Sequence, residues 1–226
     1  MAQHFRGGSI SMARSGEADY SAVQINSVLR NTYMLLALTV AFSALVAGIG
    51  MAMNFPYLGL WTLLPYFGFL FGAHALRNSP WGLLMVFGLT GWLGLTLAPI
   101  LGYYLGTVGP EPVLLALGGT AAIFFGLSAY VLVTRKNLSR WGGFLTVGIL
   151  VAFVAGIANV FLQISTLSLV VSSLFILVSS GLIMYQTSAI IHGGERNYIL
   201  ATITLYVMIY NLFLSLLNLI GFLRDE

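Results

Sequence analysis

Residues 167–191 read LSLVVSSLFILVSSGLIMYQTSAII. A short link, HGGERN at 192–197, joins them to YILATITLYVMIYNLFLSLLNLIGFL at 198–223. Neither stretch contains an Asp, Glu, Lys or Arg. A bilayer core about 30 Å thick needs roughly 20 apolar residues in a helix, and both stretches exceed that. A 13-residue core helix of a soluble domain would not need so long an uncharged run. This pair reads as a transmembrane hairpin.

Five more stretches upstream have the same character: 31–53, 57–76, 80–105, 112–134 and 141–162. With 167–191 and 198–223 they predict seven spans. The third is long and contains Pro99, which predicts tilt or a kink. The chain as a whole agrees: 226 residues, 59% hydrophobic, 7% charged, mean hydropathy +0.96. Soluble domains carry about 25% charged residues. Period-two alternation between regular turns is missing, which disfavours a membrane β-barrel. The predicted fold is all-α, a polytopic seven-helix transmembrane bundle over 28–226. It follows a polar segment, 1–27, read as a flexible cytoplasmic tail. That segment lacks the apolar core of a signal peptide, so the first span is expected to direct insertion.

The loops orient the bundle. If there are seven spans, Arg6, Arg14, Arg30, Arg77, Arg135, Lys136, Arg140 and Arg196 share one side and only Arg224 lies opposite. By the positive-inside rule this places the N-terminus in the cytoplasm and the C-terminus outside. The same rule accounts for the net charge of +3 without an acidic partner.

Several function classes lose support. With no cysteine there is no thiolate nucleophile, disulfide or thiolate metal site. His74 has no second histidine or carboxylate at ligand spacing, so neither a metal nor another cofactor is expected. G-x-S-x-G is absent, and no nucleophile–base pair stands out. The clustered Arg135, Lys136 and Arg140 read as a topology signal rather than a nucleic-acid patch. An enzyme is not expected. No span holds the internal charge on which ion-coupled transporters usually depend.

What remains is a polar seam. Ser172, Ser179 and Gln186 recur every seven residues on span six, with Ser173, Ser180 and Thr187 alongside. Thr204, Met208, Asn211, Ser215 and Asn218 mark a stripe on span seven. A period of seven keeps each set on one face. Facing stripes allow interhelical hydrogen bonds or, alternatively, a wet path through the membrane. Gly148, Ala152 and Gly156 form a small-residue face on span five, read as internal packing in preference to a dimer contact; Gly102 and Gly106 repeat the pattern more weakly. In the 192–197 link, His192 suits a helix C-terminus, Gly193 a left-handed cap and Asn197 an N-cap. A structural turn accounts for these residues, and a partner site at His192, Gly193, Gly194 and Glu195 is the alternative.

Particular motifs carry further information. Leu29-Arg30-Asn31-Thr32-Tyr33 opens span one, and Leu117-Gly118-Gly119-Thr120-Ala121 lies in span four. Ser128-Ala129-Tyr130-Val131-Leu132-Val133-Thr134-Arg135-Lys136 ends that span. Ile190-Ile191-His192-Gly193-Gly194-Glu195, and Leu205-Tyr206 through Tyr210-Asn211, complete the set. From about Val28 onward the chain resembles the bacterial YccA-like branch of the Bax inhibitor-1 family. The resemblance implies a multi-pass bundle in the bacterial inner membrane. It also implies a protein that binds and limits the membrane AAA protease FtsH, alongside HflK–HflC, with a homo-oligomer left open. The wider family includes proton-sensitive calcium leaks whose sensor is an aspartate pair. By motif match those positions are Gln186 and Met208 here, and neither can ionise. The alternative function is therefore a leak channel lacking the acidic pair.

Overall fold

The computed structural model describes residues 6–225, with side chains described from Val23 to Arg224. Arg6 and Arg14 thus lie, as side chains, outside the described residues, and so does Glu226. The described residues form seven α-helices: α1 Arg6–Ala52, α2 Leu63–Ala75, α3 Pro80–Tyr103, α4 Glu111–Thr134, α5 Gly142–Leu162, α6 Ser165–Ile191 and α7 Tyr198–Asp225. The boundary at residue 27 between the expected tail and bundle falls inside α1, whose spanning part is Val23–Ala52.

Six helices are long and apolar enough to cross a membrane; α2 is not. The expected full-length second span, 57–76, is corrected by its own sequence. Asn54 (φ 52°) and Gly59 (φ 57°) adopt left-handed conformations that interrupt the run. A 3₁₀ turn, Gly59–Thr62, follows before α2 begins, and Pro65 sits in the first α-helical turn, where its missing N–H costs no ladder bond. Pro99 lies within α3, and the helix continues into a π-helical turn, Tyr104–Val108, a few residues later. A π turn is one of the recognised ways a long helix departs from straightness.

Contacts fix the directions. Gly50 of α1 faces Leu95 and Ala98 of α3, and Gly91 faces Phe42, so α1 and α3 run parallel. Gly72 of α2 faces Met85 and Gly88 faces Phe69, so α2 runs antiparallel to α3. The seven helices of the described residues therefore alternate in direction between two ends. One end gathers Arg30, Arg77, Arg135, Lys136, Arg140 and Arg196. The other holds Glu111 and Arg224, paired across the start of α4 and the end of α7.

Helix α7 is the axis. It packs against α6, α4 and α1, and more lightly against α3 and α2. Leu205, Leu212 and Ala201 are fully buried on it. Backbones approach closely where small residues allow: a Cβ on Gly94 of α3 would collide with the carbonyl of Ser43 on α1.

Candidate functional site

The α6–α7 seam is built from two antiparallel helices joined by a tight link. Gly193 is left-handed (φ 72°), and the Asn197 side chain accepts from Ile199 N (3.0 Å) and Leu200 N (3.2 Å), capping α7. His192 Nδ1 lies 2.8 Å from the Ser188 carbonyl and 3.3 Å from its hydroxyl, at the end of α6. Glu195 accepts from Asn197 N at 2.8 Å. Gly194 folds back on Ala189, whose carbonyl accepts its N–H at 2.8 Å.

This link does more than join two helices. Asn197 donates to the Arg77 carbonyl (3.0 Å) and to Asn78 Oδ1 (3.2 Å), binding the α2–α3 loop. Ser188 donates to the Lys136 carbonyl (2.9 Å) and accepts from Leu138 N (3.0 Å), binding the α4–α5 loop. Three loops of the basic end are thereby fastened into one plate.

Within the seam, Ser172, Ser179, Gln186, Met208 and Ser215 are buried, while Thr204, Asn211 and Asn218 are half-buried. Asn218 Nδ2 donates to Ser168 Oγ at 2.9 Å, crossing from α7 to α6 one turn before Ser172. Met208 and Asn211 reach a cavity of about 520 Å³ among α2, α3, α5, α6 and α7, which Tyr66, Thr96 and Tyr210 also line. The other polar members are not gathered around that cavity. Ser179 Oγ and Gln186 Nε2 are buried without a described partner, as are Thr32 Oγ1 on α1 and Ser128 Oγ on α4.

Sequence reasoning missed a second polar face of α7. Tyr206 donates to Ser43 Oγ at 2.6 Å and reaches the Thr90 carbonyl at 3.3 Å, joining α7 to α1 and α3. Tyr210 pairs with Thr96 at 2.9 Å, and Thr202 reaches the Thr32 carbonyl at 3.3 Å. The available signal was the two phenols one turn apart, since a tyrosine hydroxyl inside an apolar helix needs a partner. This face floors an almost wholly apolar groove of about 600 Å³ between α1 and α4, where Ala37, Ala41 and Ala44 meet Thr120 and Phe125.

The small-residue face of α5 packs inward on α6. Gly148 faces Val178, Gly156 faces Val171 and Phe175, and Ala152 is fully buried. Gly102 and Gly106, by contrast, meet no other helix among the described residues. Among the described residues no three of His, Cys, Asp or Glu are grouped to hold a metal.

Comparison with known proteins completes the description. A family described as "Inhibitor of apoptosis-promoting Bax1" matches residues 25–225. An uncharacterized protein of Pseudomonas aeruginosa is 54% identical over 200 residues, covering 88% of this chain and 90% of that one. A protein of Escherichia coli K12 named modulator of FtsH protease YccA is 49% identical, covering 89% and 93%. A membrane protein of Vibrio cholerae is 39% identical, covering 90% and 93%. With a match over nearly all of its helices and relatives of this closeness, the chain belongs to the Bax inhibitor-1 family of membrane proteins.

Proposed function

We propose that this chain is an inner-membrane protein that binds the AAA protease FtsH, with HflK–HflC, and limits its attack on other membrane proteins. The observation that carries this reading is the 49% identity, across nearly the whole of both chains, to the protein named as a modulator of that protease. The fold supports it physically. A processive protease that pulls a membrane protein from its N-terminus must first dislodge α1. That helix is held at two levels: Thr202 on its Thr32 carbonyl, and at Ser43 both the Tyr206 hydroxyl and the close approach of Gly94. In lipid such contacts, rather than hydrophobic expulsion, hold helices together. Residues 1–27 are the handle in this reading, and the bundle is a load that resists extraction.

The topology proposed with it has seven spans, a cytoplasmic N-terminus and a periplasmic C-terminus. The 3₁₀ turn and α2 together cover Gly59–Ala75, roughly 27 Å of rise, close to the about 30 Å hydrocarbon core. The parallel course of α1 and α3 requires a return between them. Cations collected at the end where α1, α3 and α7 begin favour that end as cytoplasmic.

The test is co-purification with FtsH from native membranes in mild detergent, together with turnover of a variant lacking residues up to Ser21. Retention on the protease and a longer lifetime are expected. Absence of the protease from the eluate would overturn the partner, and unchanged turnover would overturn the handle. Reporters at the two ends test topology separately: activity on the same side for both would reduce the spans to six.

A further inference from the structure

We propose that the α4–α5 loop is a binding site for the headgroup of an anionic phospholipid, whose acyl chains lie in a trough between α4 and α5. Three hairpins turn at the basic end: α2–α3, α4–α5 and α6–α7. In the first and last the two helices pack along one another, whereas α4 and α5 scarcely touch; each packs instead on α6. The outer face of α6 is left uncovered at Ser173 and Leu177, the latter 71% exposed. An apolar trough open to lipid results; it opens at Leu177, roughly 16 Å of helix rise from Ser188 under the loop, about the depth of one leaflet.

The mouth of the trough carries three cations, Arg135, Lys136 and Arg140, within six residues. None has a carboxylate partner among the described residues. Glu195, the acid described at this end, is held on the α6–α7 link by Asn197 N, and the ion pair among the described residues is Glu111–Arg224 at the far end. Cations in a cytoplasmic loop alone would signal only topology. Here the loop backbone that carries them is also fixed in place. Arg135 caps α4 in the left-handed region (φ 50°), a position where Gly or Asn is the ordinary choice, so the charge stands at a backbone position that does not favour it. Ser188 holds the Lys136 carbonyl and the Leu138 N–H, and Asn137 Oδ1 accepts from Ser139 N at 3.0 Å. Lys136 Nζ donates to Tyr130 OH at 2.7 Å and lies 5.3 Å from its ring centre. Exposed Val133, Trp141 and Phe144 flank the charges at the level where aromatic side chains meet headgroups. Cations on an anchored loop, above an apolar trough with an aromatic rim, match an amphiphile that has a phosphate at one end and chains at the other. A soluble acidic peptide would use the charges but leave the trough and rim without a role.

The full-length protein, purified in mild detergent, is titrated with phosphatidylglycerol against phosphatidylethanolamine, and retained lipid is counted by native mass spectrometry. A preference for the anionic lipid is expected. Each neutralised loop cation should lower it about fivefold, the equivalent of about 1 kcal/mol per basic residue near the surface. Arg135→Gln with Lys136→Gln and Arg140→Gln should therefore abolish the preference. The matched triple Arg30→Gln, Arg77→Gln and Arg196→Gln, which removes equal charge from the same end, should keep most of it. Equal loss in the two triples would show only a diffuse surface potential, and no loss in the first would show that the loop is not involved; either overturns the site. If the loop triple does not insert, Arg140→Gln alone, on the exposed turn before α5, carries the test at fivefold, and an unchanged preference there is equally fatal.

Discussion

Helices α5 and α7 invert the rule learned from soluble proteins. The span Ser139–Leu162 is the most hydropathic of the six, at 2.4, yet only 11% of its most apolar stretch is buried inside the bundle. Tyr198–Arg224 has a hydropathy of 1.9 and is 61% buried. In water the more apolar element would take the centre. In lipid the tails solvate apolar side chains as well as a protein interior does, so hydropathy decides what spans and not what is central. The centre goes to the helix with polar groups to satisfy. Helix α7 carries them on two faces, Thr202, Tyr206 and Tyr210 toward α1 and α3, and Asn218 toward α6.

The contrast can be broken most directly by truncation. Leu212 on α7 is fully buried, and Leu212→Ala should destabilise the bundle by about 2–3 kcal/mol through the cavity it leaves. Val147 on α5 is 61% exposed, and Val147→Ala should change stability by no more than about 0.5 kcal/mol. Unfolding of the two variants in detergent or bicelles gives the comparison. Equal losses would mean that α5 has a protein neighbour in solution.

A middle-sized effect is expected on the one face of α5 that does meet protein. A Cβ at Gly148 would lie 3.1 Å from Val178 Cγ2 on α6. Gly148→Val should cost about 1–2 kcal/mol by overpacking, whereas Gly143→Val, where nothing lies within 4 Å, should be tolerated. If both are tolerated in the same unfolding assay, α5 is held by its loops rather than by its small-residue face.

A smaller effect separates the polar contribution of α7 from its packing. Tyr206→Phe keeps the ring and removes the hydrogen bond to Ser43. Bonds of this type inside membrane bundles are worth about 0.6 kcal/mol on average and up to about 1.7. A double-mutant cycle with Ser43→Ala should return a coupling in that range. Zero coupling would leave the central place of α7 to shape alone.

These residues also show what the sequence could and could not reveal. Spans six and seven were legible to within two residues, 167–191 against Ser165–Ile191 and 198–223 against Tyr198–Asp225, because length and lack of charge are sufficient signals in lipid. The second span was overread because its apolar run hides Gly59 and Pro65, which shorten the helix without lowering hydropathy. The seam was legible as a period but not as a set of contacts. A seven-residue repeat names a face, not the neighbour it meets, and tyrosines pass as apolar in a hydropathy count. The phenols on the other face therefore went unassigned.

The last comparison expects no effect at all. Two carboxylates sharing a buried site cannot both ionise readily, so one pKa rises and the pair can sense pH near neutrality. The positions matched to such a pair hold Gln186 on α6 and Met208 on α7, both buried. An amide does not titrate, and a thioether is an apolar filler. Of the described acids, Glu111 and Glu195 lie at the ends of the bundle, and His74 and His192 are exposed near the basic end. Nothing described at mid-depth can exchange a proton between pH 5 and 8. Calcium flux into liposomes bearing the purified chain should therefore stay flat across that range, and stay flat after all three histidines, His4, His74 and His192, are changed to glutamine. The constructive arm places Gln186→Asp and Met208→Asp together. At neutral pH the added buried acids should lower stability, and any pH-dependent flux they introduce should be absent from either single variant. A steep calcium leak near neutrality in the unmodified chain, surviving loss of the histidines, would mean that protons act on this bundle through groups other than a buried acid pair.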